Sequence, residues 1–285
     1  MLGLLFAVLS AFSKGFEKIL HRYVLVKEDS LSYAFIWHLL ASLFFLPFFI
    51  IEFNIPKESF AWGLVLISAV LWAIVAYTGF RAYSHLQVSL KEPIGKSKML
   101  FVLLLSVIFL KEAITTEKVL GTILIFAGIV TLTYKKGKRF GDFGNRGVQL
   151  TLLSAFLMSV VLLVDKYATN FFNPGMYSFM VYFLPSVVLF PFVVKRKTEI
   201  RSIVRNKLGA TIATVFLGAA YYYLLLRAFK LAEASAVVPI VELGTLIAVF
   251  GGIKFLKERE QIPKKIIAAV IVVIGAVLLS GVFRI

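Results

Sequence analysis

The sequence predicts an all-α integral membrane protein with ten transmembrane helices, arranged as two inverted repeats of five helices. The first observation is composition: 60% of the 285 residues are hydrophobic, whereas soluble domains contain about 45–50% apolar residues. The second is that the apolar residues fall into segments of roughly 20 residues, the length that crosses a hydrocarbon core of about 30 Å. The third is that the second half repeats motifs of the first half, five segments later. Because five is odd, the second copy is expected to enter the bilayer in the opposite direction.

Short connections join the apolar segments, so no soluble domain of any size fits between them. The first segment is interrupted by Lys14, Glu17 and Lys18 and lacks a basic start, which favours a retained helix over a cleaved signal peptide. The ten predicted spans cover residues 2–22, 31–51, 61–82, 88–110, 118–134, 148–167, 175–194, 208–229, 235–256 and 265–283.

The repeat consists of short motifs that recur in the same order. Because chance similarity between apolar segments would rarely preserve order, we predict two units, residues 1–140 and 141–285. Glu17-Lys18 at the end of span one and Asp165-Lys166 at the end of span six are expected to correspond, with a small shift of register. The matching motifs are Leu9-Ser10-Ala11-Phe12 with Leu153-Ser154-Ala155-Phe156, Leu46-Pro47-Phe48 with Phe190-Pro191-Phe192, Phe80-Arg81-Ala82-Tyr83 with Leu226-Arg227-Ala228-Phe229, Pro93-Ile94 with Pro239-Ile240, and Leu110-Lys111-Glu112 with Leu256-Lys257-Glu258.

The net charge of +16 comes mostly from basic residues between the apolar segments. This distribution indicates contact with anionic lipid headgroups rather than with nucleic acid. The basic residues crowd the connections after spans five, seven and nine, which places the odd-numbered loops in the cytoplasm and both termini outside. The sequence has no cysteine, and its three histidines have no metal-ligand spacing, so neither a metal nor another cofactor is expected. Both a monomer and a homodimer are compatible with the sequence.

Span four has an unusual group of charges near its start. A charge at the centre of a membrane helix costs about 2.5–3.5 kcal/mol on insertion scales, so these side chains face either a cavity or a partner, or they reach the headgroups from a helix that starts later. The repeat favours the cavity, because Pro93 matches Pro239, which lies in an apolar stretch. Both prolines are expected to kink their helices near a substrate site. The charged residues are Lys91, Glu92, Lys96 and Lys98.

Lys96 corresponds to Glu242 in the second copy, so the two copies differ in charge sign at this position. We predict a salt bridge between them, with three candidate roles: a structural clasp, a substrate site or a gate. Because desolvation offsets the attraction within a buried pair, a gate is the favoured role. Glu92 and Lys96, four residues apart, are also able to pair along one helix.

Other residues are candidates for lining a cavity or carrying a proton. Tyr77 and Tyr223 are predicted to line the cavity, although tyrosine is also enriched at membrane interfaces. Glu17 and Asp165 lie at the ends of their spans and are candidates for proton coupling, while uncoupled exchange and facilitated diffusion fit the sequence equally well. The sequence contains no nucleotide-binding loop, nucleophile elbow or zinc-protease motif, so an enzyme is not predicted.

The duplicated five-helix unit, the prolines of spans four and nine and the paired Leu-x-Glu motifs resemble the EamA-type branch of the drug/metabolite transporter superfamily. Gly121-Thr122-Ile123-Leu124-Ile125-Phe126-Ala127-Gly128-Ile129 also resembles the glycine-rich fifth helix of that family. The resemblance implies helices around a central cavity, with helices four and nine meeting near the centre and helices five and ten at the periphery. It also implies alternating access, often for efflux.

These observations predict a secondary transporter in the cell membrane that exports a small polar metabolite. An amino acid and an organic anion both remain candidates, and the lysines of span four favour the anion. Two alternatives stay open: a flippase for a lipid or polyprenyl-linked carrier, and a membrane scaffold that transports nothing.

Overall fold

A computed structural model describes residues 2–110, 115–134, 143–168, 170–231, 237 and 240–279 of the chain. This described part contains eleven α-helices. They are α1 (Leu2–Leu25), α2 (Ser30–Ile51), α3 (Phe60–His85), α4 (Val88–Gly95), α5 (Lys98–Leu110), α6 (Thr116–Thr133), α7 (Arg146–Ala168), α8 (Pro174–Val193), α9 (Lys197–Leu231), α10 (Gly244–Phe255) and α11 (Ile262–Leu279).

Six segments are long and apolar enough by themselves to cross a bilayer, and they lie in α2, α3, α6, α7, α8 and α9. Helix α1 has sufficient length but carries Lys14, Glu17, Lys18 and Arg22. Predicted span four is not one helix. It is divided into α4 and α5, and Lys96 and Ser97 lie at the division. Span nine is also interrupted, because a turn at Leu243 separates helical residues 240–242 from α10.

The packing of the helices follows the repeat. Helix α1 packs on α9, and the corresponding helices of the other copy, α7 and α3, pack on each other. Helices α2 and α8, which occupy matching positions in the two copies, also pack together, as do α6 and α11. In the α6–α11 pair, a Cβ on Gly275 would lie 2.8 Å from the carbonyl oxygen of Gly121. Glycine therefore permits the close backbone approach that is typical of helix pairs in membranes.

The connections fall on two faces of the helix bundle. On one face, Arg196 after α8 pairs with Asp29 before α2 at 2.9 Å, and Glu258 after α10 accepts a 2.8 Å hydrogen bond from the amide of Val88. We call this the basic face, because the lysine- and arginine-rich residues 195–207 lie there. On the opposite face, Asn173 before α8 donates a 2.9 Å hydrogen bond to Asn54 after α2.

Candidate substrate site

A buried ion-pair network lies at the middle of the bundle. The two carboxylate oxygens of Glu242 contact the ammonium groups of Lys96 and Lys14, the latter at 3.3 Å. Lys96 is only 4% exposed. Lys14 lies eleven residues before the end of α1, about 16 Å along the helix axis, which is half the thickness of a hydrocarbon core. The predicted contact between Lys96 and Glu242 is therefore present, and it lies at membrane depth.

The interruptions of the helices in spans four and nine bring these charges together. Pro93 has no amide hydrogen, and beyond it the amides of Lys96 and Ser97 bond three residues back, to Pro93 and Ile94, in tight turns. In the other copy, a Cβ on Gly244 would lie 2.7 Å from the carbonyl oxygen of Ala11. Glycine at this position lets α10 approach α1 closely. Glu242, two residues earlier, can then reach Lys14.

A second pair lies one turn before the break in span four. Lys91 contacts Glu92 at 3.2 Å, and the hydroxyl of Tyr83 donates a hydrogen bond to Glu92. The Lys91 ammonium also lies 3.9 Å from the ring centroid of Tyr83, a cation–π contact. The predicted pairing of Glu92 with Lys96 is wrong, because the helix ends before Lys96 and turns its side chain toward Glu242.

A third acid, Glu17, contacts two residues of its own helix. One carboxylate oxygen lies 2.9 Å from the ammonium of Lys18, and the other lies 3.1 Å from Nε2 of His21. A Cβ on Gly218 of α9 would lie 2.8 Å from this carboxylate, so glycine makes the room that Glu17 occupies. Sequence reasoning did not include Lys14 or His21 among the site residues, although both lie on the helix face that carries Glu17 and Lys18.

Together these residues form a site with excess positive charge, which we call the lysine cluster. Its pairs influence one another, since Glu92 also attracts Lys14, Lys18 and Lys96. No carboxylate that the structure describes lies within 4 Å of the Lys98 ammonium. The cluster consists of Lys14, Lys18, Lys91, Lys96 and Lys98 with Glu17, Glu92 and Glu242.

Two hydroxyl groups beside the helix interruptions have no hydrogen-bond partner among the residues that the structure describes. They are the buried side chains of Ser97 and Thr245, one after the break in each copy. A buried hydroxyl without a partner costs about 1–3 kcal/mol, and such groups are found where a ligand or an ordered water completes the site. The cluster has more lysines than glutamates, and the two hydroxyls are free to donate hydrogen bonds. Both properties suit an anionic ligand.

The structure places the two predicted tyrosines away from the lysine cluster. The hydroxyl of Tyr77 accepts a 2.8 Å hydrogen bond from Arg81, and Tyr223 is 50% exposed on the outside of α9. Tyr221 instead contacts the cluster, with its ring centroid 5.4 Å from the Lys14 ammonium. Residues two apart on a helix point about 200° apart, so Tyr221 and Tyr223 cannot both face the centre.

The remaining predicted residues have separate positions. Pro93 is buried within α4, and Pro239 lies outside the described residues. Asp165 lies outside the lysine cluster, between α3, α7 and α8. Its carboxylate accepts hydrogen bonds from Ser68, from the indole of Trp72 at 2.9 Å and from the hydroxyl of Tyr177 at 2.6 Å. No basic side chain that the structure describes lies within 4 Å of it.

Comparison with known proteins decides the family. The model of the EamA-like transporter family matches the chain twice, over residues 1–134 and 145–281. The chain belongs to this family. Two proteins of Archaeoglobus fulgidus, each named an uncharacterized transporter, are similar to this EamA-like chain. One is 28% identical over 285 residues, 98% of each chain, and the other is 32% identical over 95 residues, 33% of this chain and 32% of its own.

A crystal structure of a protein aligns with 88% of this EamA-like chain and 99% of its own, at 12% identity and with a TM-score of 0.47. The family match and the transporter relatives, together with the six apolar helices, identify a membrane transporter that is a multi-pass integral membrane protein. The predicted family is confirmed.

Proposed function

We propose that this EamA-like transporter moves a small organic anion across the cell membrane, and that the lysine cluster binds the anion at the middle of the bilayer. The observation that carries this proposal is the charge of the cluster, which has five lysines but only three glutamates. Buried charges without compensation are costly, so a site with excess positive charge is best occupied by a negative ligand.

The proposed mechanism is alternating access between two inverted copies, with the copy boundary near residue 140. The connections support this arrangement: α1 ends at the basic face, whereas α7, its counterpart in the second copy, begins there, since Gly147 packs against His85 and Leu86. The repeated helix pairs, α1 with α9 and α7 with α3, support a two-fold relation between the copies. Rocking of one copy against the other around such an axis exposes a central site to each side in turn.

The Lys96–Glu242 pair joins the two copies and is the proposed gate. A bound carboxylate or phosphate competes with Glu242 for Lys96 and Lys14, which weakens the contact between α10 and the first copy. Lys98 and the free hydroxyls of Ser97 and Thr245 supply donors to the anion. The basic face is assigned to the cytoplasm by the positive-inside rule, so loading from this face gives export.

The test is counterflow into liposomes that contain the purified protein. Labelled pyruvate, succinate, phosphate, glutamate, leucine and a fluorescent phospholipid form the panel, because they separate anions, amino acids and lipids. We expect counterflow of at least one organic anion, and we expect Lys98→Met to slow it about tenfold, the effect of losing one charged contact.

Lys254→Met is the matched control, since Lys254 is an exposed lysine on α10. It should change the rate less than twofold. Counterflow of leucine alone, lipid movement without anion movement, or an unchanged rate in Lys98→Met would contradict the proposal. Movement of none of the probes by folded protein would support the scaffold alternative.

A further inference from the structure

His21 and Asp165 occupy the same position in the two copies of the repeat. In the first two spans the matching motifs are offset by 144 residues, as from Leu9 to Leu153, and this offset relates position 21 to position 165. It also relates Tyr33 to Tyr177. The small shift of register between Glu17 and Asp165 is therefore one helical turn.

The hydrogen bonds of these two residues repeat as well. Nδ1 of His21 lies 2.7 Å from the hydroxyl of Tyr33, which lies 2.8 Å from the hydroxyl of Thr214. The carboxylate of Asp165 lies 2.6 Å from the hydroxyl of Tyr177, which lies 3.3 Å from the hydroxyl of Ser68. Ser68 and Thr214 are separated by the 146-residue offset of the later spans. Each of these two groups, which we call triads, thus combines a titratable side chain and a tyrosine from one copy with a hydroxyl from the other.

The two triads lie near opposite faces of the membrane. His21 is four residues from the end of α1 at the basic face, and Asp165 is three residues from the end of α7 at the opposite face. Beside His21, a cavity of about 390 Å³ opens at the basic face, and Arg22 and Tyr23 are among its lining residues. This is the face from which the proposed transport loads its substrate.

Only the first triad is connected to the lysine cluster. Nε2 of His21 lies 3.1 Å from Glu17, whose other oxygen lies 2.9 Å from Lys18. Beside Asp165, Trp72 of the first copy takes the place that corresponds to Gly218 of the second copy, and its indole donates a hydrogen bond to Asp165 directly. Gly218 leaves the space in which the Glu17 carboxylate contacts His21.

We infer that His21 is a proton-binding site, equivalent by the repeat to Asp165, and that its protonation draws Glu17 away from Lys18 and so makes Lys18 available to an anion. A protonated imidazole competes with the Lys18 ammonium for the same carboxylate. Proton binding and anion binding then favour each other, and by linkage the effect is reciprocal. The use of Lys18 rests on the proposed anion transport, whereas proton binding by His21 does not.

Several charged and titratable groups surround His21. Helix α1 contributes Glu17, Lys18 and Arg22, and the surrounding helices contribute Tyr33 from α2, Tyr83 from α3, and Lys91 and Glu92 from α4. Four aromatic rings also enclose the imidazole at centroid distances of 4.9–5.9 Å: Tyr33, Trp37, Phe80 and Tyr83. Burial opposes the charge of a protonated imidazole, as do the ammonium groups of Lys18 and Lys91, whereas the Glu17 carboxylate and the ring faces favour it.

The test is a pH titration of the histidine side chains by NMR, with ¹⁵N-histidine-labelled protein in nanodiscs. The chain has only three histidines, His21, His38 and His85, so three single substitutions assign the signals. We expect the His21 signals to titrate between about pH 5 and 8, near the ordinary range of histidine. His38 is the internal control, because its Nδ1 contacts the carbonyl of Ala34 at 2.9 Å and no acid is bonded to it.

Two variants test the connection through Glu17. Glu17→Gln removes the negative partner and should move the His21 titration midpoint to lower pH by about one unit. Lys18→Met removes the competitor and should move it to higher pH by about half a unit. Lys18→Met keeps the test valid if Glu17→Gln does not fold, because the Lys18 side chain is 28% exposed. Asp165→Asn should leave the midpoint unchanged.

His21 in one protonation state from about pH 4 to 9 would overturn the inference, as would the same midpoint in wild type and Lys18→Met. Because the readout is protonation alone, the result does not depend on the transported solute. A failed counterflow experiment would reject the proposed function and leave this titration unaffected.

Discussion

The two copies of the repeat share a framework but divide their charges unequally. In the first copy, α1 carries three charges that reach the lysine cluster. At the matching positions α7 carries apolar residues: Met158 for Lys14, Val161 for Glu17 and Leu162 for Lys18. In span nine, Val237 matches Lys91 and Gly244 matches Lys98. Of the eight charged residues in the cluster, only Glu242 comes from the second copy.

This difference shows how a symmetric scaffold can hold an asymmetric site. The helix pairs and the His21 and Asp165 triads repeat, because the framework must close in the same way on both sides of the membrane. Each charge at membrane depth costs several kcal/mol unless a partner compensates it. The charges therefore gather in one copy, where they share partners, and the second copy contributes one acid, Glu242, to the cluster.

Loss of Glu242, the one residue of the lysine cluster that comes from the second copy, should have the largest effect. Glu242→Gln leaves Lys14 and Lys96 buried without their partner, and breaking a buried pair costs about 3–5 kcal/mol. We expect anion counterflow to fall below detection and the melting temperature of the purified protein to drop. The double variant Lys96→Gln/Glu242→Gln should recover part of the thermal stability but not the counterflow. Normal counterflow in Glu242→Gln would exclude a role for the pair in transport.

Adding a charge to the second copy should be harmful where the first copy tolerates one. Met158→Lys places a lysine at the position that matches Lys14, but no acid corresponds to Glu242 there. We expect a loss of about 2.5–3.5 kcal/mol, seen as reduced membrane insertion and yield. Met158→Leu is the volume-matched control and should insert normally. Equal yields of the two variants would show that the apolar character of α7 is not required.

A smaller effect should follow from closing the space between α1 and α10. Gly244 matches Lys98 in the repeat, yet a Cβ at this position would contact the Ala11 carbonyl oxygen at 2.7 Å. Gly244→Ala should therefore separate the helices and lower stability by about 1–3 kcal/mol, measured by thermal unfolding in detergent. Gly63→Ala is the control, since nothing lies within 4 Å of its Cβ position. A melting temperature unaffected by Gly244→Ala would argue against the close approach.

Glu258 corresponds to Glu112 in the first copy, so both copies have a glutamate at this position. Its carboxylate accepts hydrogen bonds from the amides of Val88 at 2.8 Å and Ser89 at 3.0 Å, which closes the basic face across the two copies. Glu258→Gln should weaken this contact by about 1–2 kcal/mol and favour opening of the basic face.

Spin labels can measure this opening, because the chain has no native cysteine to remove. Labels at the exposed residues Lys27 and Arg259 should show a longer mean distance in Glu258→Gln. Glu260→Gln, an exposed acid two residues away, is the control. The same distance distribution in both variants would show that Glu258 does not hold the face closed.

The sequence was sufficient to predict the family, the succession of spans and the contact between Lys96 and Glu242, because the repeat relates positions that periodicity alone cannot. It was not sufficient to predict which tyrosine faces the cluster. Tyr221 and Tyr223 differ only in helix rotation, and rotation is set by packing against α1. The break at Lys96 and Ser97 was also missed, since a proline predicts a kink but not where hydrogen bonding resumes. The His21–Asp165 match could have been found by applying the 144-residue offset strictly.

The proposed transport depends most on anion binding by the lysines of the first copy. The direct test is the melting temperature of wild type and Lys98→Met over rising concentrations of the anion that counterflow identifies, with sodium chloride to hold ionic strength constant. A bound ligand raises stability by RT ln(1 + [L]/Kd), about 2.7 kcal/mol at one hundred times Kd. We predict that Lys98→Met needs about tenfold more anion for the same rise in melting temperature. Identical curves for the two proteins would contradict the assignment of the lysine cluster as the substrate site.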